Sequence, residues 1–152
     1  MTEPTWSDWI LVVRLACAAL AGAAIGWNRH RAGKPAGVGT HALVALGAGL
    51  FVVVPAAGWP ASGDALSRVI QGVAAGVGFL GAGEIFRDDS SGSRVTGLTS
   101  AAALWATAAL GLVIVTGPLV EAAAGTVLVL AILEAAPRLE RRFASREPPL
   151  PH

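Results

Sequence analysis

His41 and Glu84 are the two side chains of this sequence best suited to hold a cation or exchange a proton. Asn28, Arg29, Thr40 and Thr99 are the polar groups that gather on the same side once the chain is divided into elements. An imidazole titrates near neutral pH and binds metals through its neutral nitrogen, while carboxylate, amide and hydroxyl oxygens fill the shell of a hard cation. Each group also has an ordinary reading. Thr40 can cap a helix N-terminus with His41 behind it, and Glu84 can pair with Arg87 one turn on. The sequence leaves both readings open. It offers no GxSxG, HExxH or Walker loop and no paired catalytic carboxylates, so no enzyme is expected. Three histidines make a multi-histidine site within one chain improbable. A single cysteine, Cys17, excludes an intramolecular disulfide and a thiolate metal site.

The elements that must position these groups are dictated by lipid. Hydrophobic residues make up 54% of the 152 and charged ones 14%, with a mean hydropathy of +0.62. Such a composition belongs to a membrane protein. A net charge of +1, without clustered Lys and Arg among stacking aromatics, sets nucleic acid aside as a partner. Five stretches approach the roughly 20 apolar residues that a spanning helix needs: 9–27, 41–57, 68–86, 98–115 and 119–136. The last two are divided at Gly117–Pro118, a turn signal. The expected fold is an all-α membrane protein, a bundle of about five transmembrane helices over residues 1–137 followed by a basic, proline-rich tail over 138–152. No basic residue precedes the first apolar run, so that run reads as an uncleaved membrane segment. Arg29, Arg31, Lys34, Arg87, Arg94, Arg138, Arg141, Arg142 and Arg146 then fall on one side, which places the N-terminus outside and the C-terminus in the cytoplasm. Trp6, Trp9, Trp27 and Trp59 fall near the interfaces, where an indole keeps its N–H wet.

Glycine spacing suggests how the helices meet. Between helices in lipid the hydrophobic drive is weak, and small residues four apart let backbones approach. Gly22 and Gly26 form such a pair in the first span. In the third, Gly72, Gly76 and Gly83 share one face while Gly78 and Gly81 lie roughly opposite. That pattern makes the third span the central helix, packed on both faces. A competing reading has the stretch "GVGFLGAG" unwind to line a ligand site with backbone groups.

Charges within the spans have local accounts. Arg14 can snorkel outward with Asp8 as a partner. Asp64 and Arg68 form an outer-surface ion pair, Glu121 favours its helix N-terminus, and Glu134 pairs with Arg138 four residues on. "GVGTHALVAL" and "GLTSAAALWA" share a G-x-x-[T/S]-x-A pattern, a hint of a repeated two-helix unit.

Three blocks in order, "GAAIGWNRHRAGKPAGVGTHALVALGAGLF", "RVIQGVAAGVGFLGAGEIFR" and "VTGLTSAAALWATAALGL", resemble the membrane domain of the MgtC/SapB family of bacterial inner-membrane proteins. The family pattern falls on Gly22, Gly26 and Arg29, on Lys34, Pro35, Gly37, Thr40 and His41, on Arg68 and residues 78–83, and on Gly97, Thr99 and Trp105. The resemblance implies a multi-pass inner-membrane protein of magnesium homeostasis, in pathogens tied to survival in host cells and at low magnesium. It implies action through membrane partners such as ATPases. The glycine faces of the third span add the expectation of a symmetry mate, hence a homo-oligomer, a dimer by expectation, embedded in the lipid bilayer. The alternative the resemblance carries is a small homo-oligomeric transporter or channel for magnesium or another cation, using Asn28, Arg29, Thr40, His41, Glu84 and Thr99. Magnesium is the only ion the resemblance brings; no cofactor is otherwise expected. The chain departs from the family pattern at Asn28, where Glu is usual, at Gly39, where Arg is expected, and in the spacing from Asp64 to Arg68. It also ends before the cytoplasmic domain that longer members carry.

Overall fold

The computed structural model describes residues 8–56, 63–88 and 94–144. Trp6, Trp59 and the side chain of Arg87 lie outside the described residues. Five helices follow in order: α1 Asp8–Arg31, α2 Val38–Ala56, α3 Gly63–Gly83, α4 Leu98–Thr116 and α5 Leu119–Ala144. Four of them, α1, α3, α4 and α5, are long and apolar enough to cross a membrane, and α2 has a shorter apolar stretch, Val38–Val53. The outer surface agrees with lipid as the solvent. Phe79 is 81% and Val120 79% exposed, an apolar exterior that water would drive to aggregate.

Local chemistry explains where the helices stop. α1 closes with Gly33 in the left-handed region at φ 67°, its N–H donating to His30 O at 3.0 Å, a glycine-dependent cap that gives an end-turn carbonyl its donor. Between α4 and α5, Gly117 donates its N–H to Val113 O at 2.7 Å, and Pro118 supplies the carbonyl that Ala122 N–H reaches at 3.3 Å. The expected break is therefore a turn. α5 does not end near residue 136; it runs through Pro137 to Ala144, so the first part of the expected tail is helical. Pro137 removes the N–H that Leu133 O would have accepted and crowds that carbonyl with its ring, and Arg141 and Arg142 in the turn beyond it suit a helix C-terminus.

The central helix is α4, which packs against α1, α2, α3 and α5. This corrects the expectation for α3, which packs on α2 and α4. A Cβ added at Gly72, Gly76, Gly78 or Gly83 would meet nothing within 4 Å; only Gly81 faces a neighbour, with Ala101 Cβ 3.3 Å away. Glycine spacing marks a helix as approachable but does not say by what. The unwinding reading also fails: α3 is continuous through Gly83. Glu84 N–H then reaches Gly81 O at 3.1 Å and Ile85 N–H reaches Ala82 O at 3.2 Å, tightening the last turn.

Close backbone contact occurs instead around α2. A Cβ at Gly22 would collide with the His41 carbonyl, one at Gly26 with the backbone of Gly37 and Val38, and one at Gly111 with the Ala45 carbonyl. The core between these helices is built from small residues, with Ala18, Ala45 and Ala103 at most 3% exposed. The sequence also hides a short antiparallel ribbon, β1 Phe86–Asp88 with β2 Arg94–Thr96, in register Phe86 to Thr96 and Asp88 to Arg94. It returns the chain to Gly97, whose φ of 93° and contact with the Glu84 carbonyl admit no Cβ.

Arg14 does not merely snorkel. Its Nη1 lies 2.8 Å from Ile114 O, 3.3 Å from Val115 O and 2.8 Å from Gly117 O, so a cation on α1 caps the carbonyl end of α4. Gly22→Leu or Gly111→Leu should abolish the folded monomer in detergent, whereas Gly97→Ala should cost at least about 1 to 2 kcal/mol from its left-handed backbone alone. Thermal unfolding of the purified variants checks both; native midpoints for all three would refute this packing.

Candidate functional site

Four chain segments converge on a buried polar centre at the basic end of the bundle. Arg29 stands in the last turn of α1, His41 in the first turn of α2 and Ser100 in the first turn of α4. Glu84 follows the end of α3, held beside the α4 start by the Gly97 contact with its carbonyl. Arg29 is 3%, His41 0% and Ser100 2% exposed. Such burial of a guanidinium is costly unless it is bonded and its charge answered.

Arg29 Nη2 donates to Ser100 Oγ at 3.2 Å, and the guanidinium interacts electrostatically with the Glu84 carboxylate. His41 feels both charges. Its Nδ1 lies 3.0 Å from the Gly37 carbonyl. A carbonyl can only accept, so Nδ1 carries the proton and Nε2 of the neutral ring is an acceptor. Three buried atoms of this centre, Arg29 Nε, His41 Nε2 and Glu84 Oε2, have no protein partner.

The sequence-derived candidates divide. Arg29, His41 and Glu84 share the centre. Asn28 turns away, its Nδ2 donating to Glu134 Oε2 at 3.0 Å on α5. Thr40 and Thr99 are exposed, and Thr40 lines a groove between α2 and α3. Asp64 and Arg68 are both exposed, and among the described residues the ion pair is Glu134–Arg138, not Asp64–Arg68. Ser100 was not among the candidates. Its signal was the shared G-x-x-[T/S] pattern, which aligns it with Thr40.

Magnesium does not fit this centre. Among the described residues no group of three or more His, Cys, Asp or Glu side chains could hold a metal ion. Mg²⁺ needs near-octahedral oxygen donors, and here one carboxylate faces a guanidinium that would repel the ion.

The second feature is a groove of about 1060 Å³ between α2 and α3, with Gly39 and Gly47 on one wall and Gly72 and Gly76 on the other. The lining between them is apolar, from Leu43 and Phe51 to Val69 and Leu80.

Apolar spanning helices around a buried ionic centre define a multi-pass helical membrane protein. The model of the MgtC family matches residues 15–142, and the chain belongs to that family. It is 50% identical over 147 residues to Protein SrpB of Synechococcus elongatus, covering 88% of this chain and 79% of that protein. It is 38% identical over 144 residues to the putative magnesium transporter YhiD of Escherichia coli, covering 89% and 64%. Protein MgtC of Salmonella choleraesuis is 36% identical over 140 residues, covering 90% and 58%. The chain therefore spans less than two thirds of the length of YhiD and MgtC. No solved structure matches it.

Arg29→Leu removes the Ser100 bond and the cation facing the Glu84 carboxylate, and should cost about 2 to 3 kcal/mol. Adding Glu84→Leu should cost less than the two single changes summed, because the orphaned carboxylate goes with it. A double-mutant cycle on thermal unfolding in detergent measures this; strict additivity would show that the two charges are uncoupled.

Proposed function

We propose that this chain is a membrane protein of magnesium homeostasis that works by seating a transmembrane helix of a partner protein, such as a membrane ATPase, in the groove between α2 and α3. The observation that carries this reading is the open glycine face. Each glycine inside a helix costs roughly 1 kcal/mol relative to alanine, yet Gly72 and Gly76 on α3, like Gly39 and Gly47 on α2, meet no atom within 4 Å that a Cβ would displace. Their smallness serves no contact within the chain. Glycines four apart on α3, opposed by glycines on α2, leave bare backbone on both walls, which suits a helix rather than a disordered acyl chain.

The connection to magnesium rests on the family and on the printed name of the Escherichia coli relative. Regulation fits better than carriage, since the carboxylate of the buried centre lies in the field of the Arg29 guanidinium, which would repel a cation held there. The basic loops of the sequence orient the bundle with its polar centre toward the cytoplasm of the bacterial inner membrane. A homo-oligomer could use the same face, in which case the seated helix belongs to a second copy.

Gly72→Leu and Gly76→Leu should unfold at the native temperature, because the space at each site is empty, and should lower recovery of the cross-linked partner at least tenfold. A photo-cross-linking residue at position 80 tests capture in the native membrane, with position 127 on α5 as the control. Undiminished capture by both folded variants would sink the groove as the partner site. Magnesium flux into proteoliposomes should be absent beside an active magnesium channel; flux matching that channel would replace the regulator with a transporter.

A further inference from the structure

α3 carries a second uncovered face, turned away from the groove. Asp64, Arg68, Gln71, Ala75, Gly78 and Ala82 are all exposed, and their spacings of 4, 3, 4, 3 and 4 residues repeat every seven, the seam of a left-handed helix pair. At about 100° per residue, Gln71 points opposite Leu80, Gly78 opposite Val69 and Ala82 opposite Val73, and those three opposites line the groove. One neighbour cannot cover both faces.

We propose that this face is the interface with a second copy of the chain, α3 lying parallel to α3 about a two-fold axis along the membrane normal. Both copies insert with one topology, so only a parallel pair is open to them. The polar residues identify the occupant. Gln71 lies seven residues inside Asp64, where the apolar span begins, about 10 Å along the axis and too deep for its amide to reach the interface. Its Nε2 donates to Ser67 Oγ at 3.3 Å, which uses one of two N–H groups and leaves the amide oxygen open. Lipid offers that amide nothing. Across a two-fold axis two glutamine amides exchange N–H···O=C bonds, so the group that a lipid-facing position penalises is one that an identical helix satisfies.

Charge is the second argument. Asp64 and Arg68 stand one turn apart, in the order that favours a pair within one helix, yet among the described residues the ion pair is Glu134–Arg138. In a parallel pair with this repeat, Asp64 is a knob whose hole is bordered by the second copy's Arg68. The axis repeats that contact in reverse, so the outer end of the seam is self-complementary. Gly78 meets no atom within 4 Å that a Cβ would displace, and with Ala75 and Ala82 it lets the two backbones close over the inner half of the span. The groove lies on the far side of each α3 and keeps its own occupant.

Energy transfer between donor- and acceptor-labelled full-length copies, diluted in vesicles of phosphatidylethanolamine and phosphatidylglycerol, measures the association. The native chain should pair. Gln71→Leu should weaken pairing about fivefold and Gly78→Leu at least tenfold, both at the native melting temperature because both positions are exposed. Gly72→Leu, in the groove, should leave it unchanged. Asp64→Arg and Arg68→Asp should each weaken self-association, and mixing the two variants should restore it, since the mixed pair has opposite charges at both contacts. A native chain that stays monomeric, undiminished pairing in both Gln71→Leu and Gly78→Leu, or no recovery on mixing would overturn the proposal. So would loss of pairing in Gly72→Leu with Gly78→Leu unaffected, which would move the second copy into the groove.

Discussion

Everything else in this bundle depends on two helices touching α2 backbone to backbone. In lipid, apolar side chains gain little by leaving the solvent for one another, and helix association depends on packing at close range. Gly22 and Gly26 bring α1 onto the start of α2, and Gly111 brings α4 onto its middle. With α2 held on both sides, Arg29, His41 and Ser100 are drawn into one buried volume. A bulkier contact would separate the helices and admit lipid to a guanidinium, which hydrocarbon does not solvate.

The glycines consequently serve two purposes. Those of α1 and α4 are consumed inside the chain, each against a carbonyl or main-chain atoms of α2. Gly72 and Gly76 of α3 are left facing open space, on the side where α2 also presents Gly39 and Gly47. One flank of α2 is sealed and the other is available. The bundle thus separates an internal ionic centre and an open helix-sized face around one densely packed middle, with Arg14 closing the α4 carbonyls at the opposite end.

Much of this was legible beforehand because the bilayer imposes a length and a composition on every crossing segment. The apolar runs, the Gly117–Pro118 turn and the Glu134–Arg138 pair could be read along the chain, since each depends on neighbours within one or two turns. Arg29, His41 and Glu84 were recognisable as a group because ionisable residues are rare in spans and so conspicuous. Ser100 was not, since a lone hydroxyl near a helix start is ordinary. The 86–96 ribbon escaped because strands of three residues leave no periodicity, and Gly97 shows its importance only when the Glu84 carbonyl beside it is known.

By itself, then, the sequence determined that the chain dissolves in lipid as a handful of helices, which residues carry charge among them, and the family to which it belongs. Those properties are local sums of hydropathy and spacing. The tertiary structure alone decided that α4 rather than α3 is central, that Arg14 caps a helix a hundred residues away in sequence, and that Asn28 leaves the candidate site for Glu134. Two glycine stripes of the same spacing look alike in one dimension. Which of them meets a backbone within the chain depends on the mutual placement of all five helices, set by the best joint packing and by nothing that one stripe contains.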